Sequence, residues 1–425
     1  MRTRSLNPLS RRLIGVGAGL VGLSLLLPVL THFSGNSSLA ALVSRTEIDA
    51  TGSLKPDLAN DMVEAALARI YVQIASGNTQ EALKQTDALL QQYPNFRLAH
   101  LIRGDLLLSR TRPITGLGSV PDAPADRLNA LRNEALKRLE ALRSRPPEGM
   151  VPPYALQLRE DQKHLIVADM TRSRLYLFAQ QNGQLKLLDD KYISQGKQGY
   201  GKEREGDQRT PIGVYQTTSI IPKEKLDDFY GAGALPINYP NDFDKRLGRT
   251  GHGIWLHGVP SDTYSRTPLA SDGCVVLSNP HMAKLMQTVA PRGTPVLITK
   301  KIDWVSTEQI EKERDSLKGA LEAWRSDWES REHLRYARHY DQDFKSDNMT
   351  RHDWLARKQL VNQNKNWIKV QLDGLSMFKY PGQEQLAVVD FIQNYSSSNL
   401  NSVTRKRMYW VKRGTEWKIL IEAGA

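Results

Sequence analysis

Residues His252–Asn279 read HGIWLHGVPSDTYSRTPLASDGCVVLSN. They contain the single cysteine of the chain, Cys274, directly after Gly273, and a histidine, His257, that closes an apolar run. A thiol is a strong nucleophile only as the thiolate, and a neighbouring imidazole is the usual group that takes its proton. The stretch therefore indicates a cysteine–histidine catalytic pair, provided that the fold brings the two side chains together.

Cys274 and His257 also have an ordinary structural explanation. A lone cysteine in a long chain is most often a small buried apolar residue, and a chance pair is easy to draw from nine histidines. The neighbouring residues change the balance. Gly273 permits a tight turn that can aim backbone N–H groups at a developing oxyanion, and Gly258 follows the histidine directly. The arrangement favours catalysis over core packing.

The order of these residues, His-Gly, a polar loop and then Ser-x-Gly-Cys-Val, resembles the catalytic signature of the L,D-transpeptidases. These are cysteine enzymes with a YkuD-type domain that act on peptidoglycan stem peptides. Further segments resemble the lead-in of the same family: Gly196–Lys202, Glu205–Asp207, Thr210–Tyr215, Leu235–Pro240 and Gly253–Gly258. Together the segments cover roughly residues 160–300.

The resemblance implies a role for each residue of the signature. Cys274 is expected to attack the carbonyl carbon that precedes the terminal D-alanine of a stem tetrapeptide, and His257 to take the thiol proton. Backbone groups near His257 and Gly258 are expected to orient the imidazole, and the amides of Gly273 and Cys274 to bind the oxyanion. Two carboxylates are alternative orienting groups if the fold brings them to the ring: Asp262 and Asp272.

The side of the site that binds the substrate is defined less sharply. Ser271, Asp272 and Arg266 are assigned to oxyanion and substrate binding because they lie in or beside the signature. Many family members carry arginine or asparagine two positions after the cysteine, where this chain has Val276. Arg266 or Arg249 could supply the positive charge instead. The resemblance implies no metal ion and no other cofactor.

Length and composition limit the possible classes of protein. A chain of 425 residues with 40% hydrophobic and 24% charged residues indicates a globular protein of about three domains. Its net charge of +12 fits an anionic surface or polymer. No nucleic-acid-reading motif and no Cys/His metal spacing occur in the sequence. Nucleic acid is therefore not expected as a partner.

The first residues have the form of an export signal. Four arginines precede Leu13–Leu30, an uncharged apolar stretch that is just long enough to span a bilayer. Residues 1–34 are therefore predicted to be an inner-membrane signal anchor, or a signal peptide cleaved near Ser38-Leu39-Ala40. Positive charge before the segment predicts a periplasmic location for the rest of the chain. Residues 35–56 are predicted to be a linker.

Residues 57–145 are expected to be helical. Apolar residues recur at helical spacing, with Gly77-Asn78 and Tyr93-Pro94-Asn95 as turns. The pattern resembles tetratricopeptide (TPR) repeats, although about one and a half repeats are visible where a stable solenoid usually needs about three. A plain helical spacer is the alternative. Envelope proteins are possible partners of this region.

The period of the pattern changes in residues 160–302, where strand-length apolar runs predict a mostly β catalytic domain. Residues 303–425 begin with a long helix, continue with helical segments that include Tyr336–Lys345, and end in four strand-like runs. Turns are predicted at Asp373-Gly374, Pro381-Gly382 and Arg413-Gly414. This order resembles the nuclear-transport-factor-2-like (NTF2-like) cone. Four aromatic residues could line its pocket or belong to its core: Tyr340, Tyr380, Tyr409 and Trp410.

The sequence thus predicts a multidomain protein. A mostly β YkuD-type catalytic domain is flanked by an N-terminal α-helical, TPR-like region and a C-terminal α+β NTF2-like cone. The pairing of catalytic and pocket domains resembles the L,D-carboxypeptidases that trim stem peptides and set cell shape in curved and helical bacteria. Trimming, transpeptidation and attachment or release of envelope proteins all use the same acyl-enzyme and stay open. The alternative is an inactive wall-associated adaptor that recruits partners through its helical and C-terminal domains.

Overall fold

The computed structural model describes residues 61–114, 116–119, 123–143, 145–346 and 349–424. The predicted membrane segment, 1–34, and the predicted linker, 35–56, lie outside these ranges and stay predictions. Within the described ranges, no helix combines the length and the apolar composition that a bilayer crossing requires.

Four helices precede the first strand: α1 Met62–Ala75, α2 Thr79–Gln92, α3 Arg97–Leu108 and α4 Ala125–Arg143. Asp61 caps α1 by accepting hydrogen bonds from two backbone N–H groups of the first turn. Gly77, with φ of 76°, makes the turn into α2. The apolar faces meet in one core that includes Ile70, Phe96 and Leu98. The predicted helices are present, whereas their TPR-like character stays a prediction.

The β region that follows contains thirteen strands, two α-helices and two 3-10 helices within residues 150–299, all of which the structure describes. Its strands are β1 Met150–Val151, β2 Ala155–Gln157, β3 His164–Asp169, β4 Arg174–Gln181, β5 Gln184–Tyr192, β6 Gln195–Gly196, β7 Gly213–Gln216, β8 Ile221–Pro222, β9 Gly233–Pro236, β10 Trp255–His257, β11 Leu269–Ser271, β12 Val275–Val276 and β13 Pro295–Thr299. Its α-helices are α5 Asp242–Arg246 and α6 Asn279–Thr288.

Two sheets support the predicted catalytic residues. One has the strand order β5-β4-β3-β13-β7 and the other β12-β10-β9-β8. The sequences HLIVAD of β3 and PVLIT of β13 are almost continuously apolar, which suits neighbouring strands that are buried along their length. Ile166 of the first sheet shares a core with Leu256 and Val275 of the second. The core therefore fixes the backbone on either side of both predicted catalytic residues.

The C-terminal region is the predicted α+β domain. Its elements are β14 Val305–Ser306, α7 Thr307–Glu329, α8 His333–Ala337, β15 Tyr340–Ser346, β16 Met349–Thr350, α9 Arg351–Gln363, β17 Ile368–Tyr380, β18 Gln383–Ser397, β19 Leu400–Arg413 and β20 Glu416–Gly424. The sheet order is β16-β15-β20-β19-β18-β17-β2. Ser306 begins α7 with a capping box, and Trp324 of α7 is fully buried against the sheet.

Two local predictions in this domain are wrong. Only the start of Tyr336–Lys345 is helical, because β15 pairs with β20 and buries Tyr340 and Phe344. Asp373-Gly374 is not a turn between strands but lies at an irregularity inside β17, with Gly374 at φ of 58°. The turns at Pro381-Gly382 and Arg413-Gly414 are confirmed as the links β17–β18 and β19–β20.

The C-terminal sheet takes an edge strand from a segment that precedes the catalytic domain. β2 pairs antiparallel with β17, with Ala155 opposite Phe378 and Gln157 opposite Met377. β1 likewise pairs with β14 at the start of α7. In the sequence, the predicted catalytic domain is therefore flanked by segments that pair with each other.

Aromatic packing joins the catalytic and C-terminal domains. The ring of Phe243, on α5, lies 4.9 Å from Tyr380 and 5.9 Å from Tyr409, measured between centroids. Asn241 Nδ2 donates to the Tyr380 hydroxyl at 2.9 Å. Tyr380 and Tyr409 are therefore core residues of this interface. The other two pocket candidates, Tyr340 and Trp410, are buried in the core of the C-terminal domain.

Removing the Phe243 ring should weaken this interface. Phe243→Ala is expected to lower the free energy of unfolding by about 3–5 kcal/mol, because it leaves a cavity among buried rings. Urea denaturation followed by circular dichroism measures the change. The control is Leu334→Ala, at a side chain that is 85% exposed, where we expect a change within about 0.5 kcal/mol. Equal effects of the two substitutions would contradict the packing role of Phe243.

Candidate active site

Cys274 lies in a tight turn immediately before β12. Gly273, with φ of 126°, has a backbone conformation that residues with side chains rarely adopt. A Cβ atom at Gly273 would also lie 2.8 Å from the carbonyl oxygen of Arg209. Glycine is therefore required before Cys274 both by the backbone angle and by the close approach of the neighbouring loop.

His257 ends β10, which pairs in parallel with β12. Leu256 is opposite Val275 and His257 is opposite Val276. Cys274 precedes Val276 by two residues, so its side chain and that of His257 project from the same face of the sheet. One pair of short parallel strands therefore places the two residues on the same face of the sheet.

The His257 ring is held by a backbone carbonyl. Its Nδ1 atom lies 2.7 Å from the carbonyl oxygen of Gly258. A carbonyl oxygen can only accept, so Nδ1 carries the proton and the lone pair of the neutral ring is on Nε2. Burial lowers the pKa of His257 from 6.5 to about 4, although the Gly258 hydrogen bond opposes the shift. The imidazole is therefore a neutral base near pH 7.

Cys274 is expected to be a neutral thiol in the resting site. Burial raises the pKa of its thiol above 9.0, while a hydrogen bond from the Trp255 backbone and the charge of Arg266 act in the opposite direction. The Sγ atom lies 3.6 Å from the carbonyl oxygen of Gly253. Both members of the pair are therefore uncharged, and the proton moves when the nucleophile attacks.

Ser271 organises the turn around the nucleophile. Its hydroxyl donates to the carbonyl oxygen of Cys274 at 2.6 Å and accepts the N–H of Gly273 at 3.2 Å. The Gly273 amide, expected to bind the oxyanion, therefore already has an acceptor in this structure, and its role stays a prediction. Among the residues that the structure describes, none accepts a hydrogen bond from the N–H of Cys274.

The two carboxylates considered as orienting groups have other partners. Asp272 is exposed, pairs with Lys197 Nζ at 2.8 Å and accepts from Gln208 at 3.1 Å. The Lys197 hydrogen bond lowers the pKa of Asp272. Asp262 accepts from the hydroxyl of Thr263. Asp272 therefore ties the loop at Lys197 to the turn before Cys274 and does not serve the imidazole.

Arg266 faces the site and Arg249 does not. The Arg266 guanidinium lies 4.4 Å from the centroid of the Phe229 ring, and the Phe229 and Tyr230 rings lie 5.9 Å and 5.1 Å from the His257 ring. Arg249 is instead paired with buried Asp244 at 2.8 Å. Of the two arginines predicted to bind the substrate carboxylate, only Arg266 is beside the catalytic pair.

Asn279 holds the loop after His257 and was missed by the sequence analysis. Its Oδ1 accepts from the N–H groups of Ala232 and Val259 at 2.9 Å and 3.0 Å, and its Nδ2 donates to the Val259 carbonyl at 2.8 Å. A Cβ atom at Gly258 would lie 2.2 Å from Asn279 Oδ1. In the sequence, Asn279 is marked only by the Asn-Pro dipeptide, which indicates the start of a helix and no role near His257.

The residues around the site offer thiol and imidazole chemistry. Within the described ranges, no group of three or more His, Cys, Asp or Glu side chains is placed to hold a metal ion. A nucleophilic sulfur, a neutral nitrogen base and an unpaired backbone N–H suit acyl transfer.

Two family models match this chain. The L,D-transpeptidase catalytic domain (YkuD) matches residues 163–298. The Cds6 C-terminal NTF2-like domain matches residues 316–423. The first match contains Cys274, His257 and the strands that position them, whereas helices α1–α4 lie outside both matches.

Solved structures resemble more of the chain. The structure of Bdellovibrio bacteriovorus Bd1075 is 30% identical, with a TM-score of 0.57, and the match covers 65% of this chain and 98% of that one. The helical cell shape determining protein Pgp2 from Campylobacter jejuni is 26% identical, with a TM-score of 0.55, over 63% of this chain and 94% of that one. A search of curated proteins found no match.

The neutral state of the pair predicts the pH dependence of thiol reactivity. Alkylation of Cys274 by neutral iodoacetamide should accelerate steadily above about pH 8, with no plateau at lower pH, because no thiolate is present there. Mass spectrometry of the single cysteine measures the rate. His257→Gln should follow a similar profile, since a neutral imidazole adds no charge. A plateau between about pH 5 and pH 7 would instead show a preformed thiolate–imidazolium pair.

The lowered pKa of His257 also predicts a contribution to acid sensitivity. Between pH 6.5 and about pH 4, His257 binds a proton in the unfolded chain but not in the folded chain. The free energy of unfolding therefore decreases as the pH falls through this window. His257→Gln should therefore lose less free energy of unfolding than wild type between these limits, by roughly 3 kcal/mol. Urea denaturation at each pH measures the difference, and parallel curves for both proteins would contradict the assignment.

Proposed function

Because this chain belongs to the family of proteins that join a YkuD L,D-transpeptidase catalytic domain to a C-terminal NTF2-like domain, we propose that it cleaves peptidoglycan stem peptides through Cys274. The family acts on peptidoglycan. The observation that supports Cys274 as the nucleophile is its place on the same face of two parallel strands as His257, with the imidazole neutral and its Nε2 free of the Gly258 hydrogen bond.

The first half of the reaction forms a thioester. Cys274 Sγ attacks the carbonyl carbon that precedes the terminal D-alanine while its proton passes to His257 Nε2. The carbon–nitrogen bond then breaks, and the imidazolium returns the proton to the nitrogen of D-alanine as it leaves. Because the resting imidazole is neutral, it can accept this proton at neutral pH.

The oxyanion of the tetrahedral intermediate is assigned to the backbone N–H of Cys274. The Gly273 N–H is engaged by Ser271, which in turn holds the carbonyl of Cys274 and so fixes the peptide plane on both sides of the nucleophile. Losing one donor of this kind typically costs about 2.7–4 kcal/mol in transition-state stabilisation. Ser271 is therefore a positioning residue in this mechanism.

Arg266 is assigned to the carboxylate of the terminal D-alanine. It is the arginine on the side of the predicted catalytic pair, and its guanidinium lies over the half-exposed Phe229 ring. A guanidinium binds a carboxylate through two parallel hydrogen bonds. With this assignment, Arg266 supplies the positive charge that binds the substrate carboxylate, although position 276 is a buried valine.

The second half of the reaction depends on the acceptor. Water releases the trimmed peptide, which is L,D-carboxypeptidase activity, whereas an amine gives a 3→3 crosslink or an attached protein. Pgp2, to which this chain is similar, is a helical cell shape determining protein. We propose by this similarity that the activity contributes to cell shape.

We place the enzyme in the periplasm, held to the inner membrane or released from it. This rests on the arginines before Leu13–Leu30 and on the substrate, which lies outside the cytoplasm. Envelope proteins are proposed partners of the helical region.

Incubation of the full-length protein, purified in detergent, with tetrapeptide muropeptides tests the function directly. Mass spectrometry should show loss of D-alanine, with 3→3 dimers in addition if an amine is used. Cys274→Ala should abolish the reaction, and Arg266→Met should raise KM roughly tenfold.

Leu334→Ala is the matched control, at an exposed position remote from the pair in the sequence, and it should retain full activity. Absence of any product from wild type, together with a thiol that resists carbapenem acylation, would contradict the enzyme and favour the wall-associated adaptor.

A further inference from the structure

The loop between His257 and Cys274 packs against the helical region. We call residues 260–268 the active-site loop. Its Tyr264 is buried in the core that α1–α4 form, with the ring centroid 4.7 Å from those of both Tyr93 and Phe96. Asn95 Nδ2 also donates to the carbonyl of Ser261 at 3.4 Å. The tip of the loop is therefore part of the helical core.

The next residue of the loop is held by a buried carboxylate. Ser265 Oγ donates to Glu134 Oε1, on α4, at 2.7 Å. Glu134 is 1% exposed and is paired with Arg138 at 2.9 Å. A hydrogen bond to a buried carboxylate that is already fixed by an ion pair is specific in geometry and costly to break. The helices thus set the position of Ser265 as well as that of Tyr264.

Arg138 also contacts Arg266 indirectly, through Tyr192. The Arg138 guanidinium lies 4.0 Å from the centroid of the Tyr192 ring. The Tyr192 hydroxyl donates to the carbonyl oxygen of Arg266 at 3.0 Å. The backbone of Arg266 is therefore fixed by a tyrosine that the helical region itself covers.

Three consecutive residues thus connect the helices with the site. Tyr264 and Ser265 are held by α1–α4, and the side chain of Arg266 extends over Phe229 toward the catalytic pair. The guanidinium lies over the Phe229 ring, whose centroid is 5.9 Å from that of His257, and its charge lowers the pKa of Cys274 against the larger effect of burial.

We propose that the helical region is a positioning element of the active site, which acts through Tyr264 and Ser265 to hold Arg266 beside Cys274. The assignment of Arg266 to a substrate carboxylate rests on the proposed function, but the position of its charge does not. The helices lie outside both family matches, so the residues that hold Tyr264 and Ser265 lie outside the matched catalytic domain. A partner that displaced the helices would reduce substrate capture.

The single cysteine allows a test that needs no peptidoglycan. In the full-length protein, the rates of Cys274 alkylation by iodoacetate and by iodoacetamide are measured at one pH. Iodoacetate carries a carboxylate that Arg266 attracts, whereas iodoacetamide is neutral. Arg266→Met should lower the ratio of the two rates by about threefold to tenfold. Tyr264→Ala should lower the ratio of the two rates by nearly as much as Arg266→Met does.

The double variant Tyr264→Ala/Arg266→Met distinguishes positioning from general damage. If Tyr264 acts through Arg266, the ratio in the double variant should be no lower than in Arg266→Met alone. Tyr264→Phe keeps the buried ring and should retain the wild-type ratio. Arg103→Ala is the control on the helices, because its ion pair with Asp87 is half-exposed and involves no residue of the active-site loop.

Circular dichroism shows whether each variant is folded, and Ser265→Ala serves as the second variant if Tyr264→Ala is not. A wild-type ratio in these folded loop variants, while Arg266→Met lowers it, would overturn the proposal. No effect of Arg266→Met would also overturn it, since the charge would then not be beside the thiol.

With muropeptides, Tyr264→Ala should raise KM by roughly tenfold and change kcat by less than about threefold, because substrate capture is affected and chemistry is not. The expected alkylation ratios without any muropeptide product, even from wild type, would reject the proposed function and leave the positioning role intact.

Discussion

The parallel pairing of β10 with β12 is the constraint on which the active site depends. Only Leu256–Val275 and His257–Val276 are paired, yet a shift of one residue would turn His257 to the opposite face from Cys274. Two strands this short do not hold a register alone. The buried side chains of Leu256 and Val275, locked into the core between the two sheets, supply the missing specificity.

The loops around these strands preserve the same geometry. Gly273 allows the turn into β12, Ser271 ties that turn to the Cys274 carbonyl, and Asn279 ties the loop after His257 to the backbone at Ala232. Burial then makes the charged states of thiol and imidazole costly. The site is consequently organised around an uncharged thiol and an uncharged imidazole.

The three regions are joined by buried contacts rather than by flexible linkers. β2 reaches across to the C-terminal sheet, Phe243 packs between two tyrosines of that domain, and Tyr264 enters the core of the helices. Interfaces of this kind transmit small shifts, because close-packed side chains do not deform independently. The active-site loop is therefore packed directly against helices that contribute neither Cys274 nor His257.

The sequence by itself predicted Cys274 as the nucleophile and His257 as the base, and it determined the mostly β character of the domain that carries them, because these follow from a local motif and from strand-length apolar patterns. It also predicted the helices before this domain and most of the C-terminal strands. Local pattern failed where pairing with a distant strand overrode it, as in β15 and at Asp373-Gly374 inside β17. Only the tertiary structure decided that the Gly258 carbonyl holds the His257 ring, that the Gly273 amide has the Ser271 hydroxyl as an acceptor, and that Arg266 rather than Arg249 lies on the side of the thiol. Each of these depends on contacts between particular side chains and backbone groups. A periodic sequence pattern predicts neither which distant residues meet nor the direction of a backbone carbonyl or N–H group.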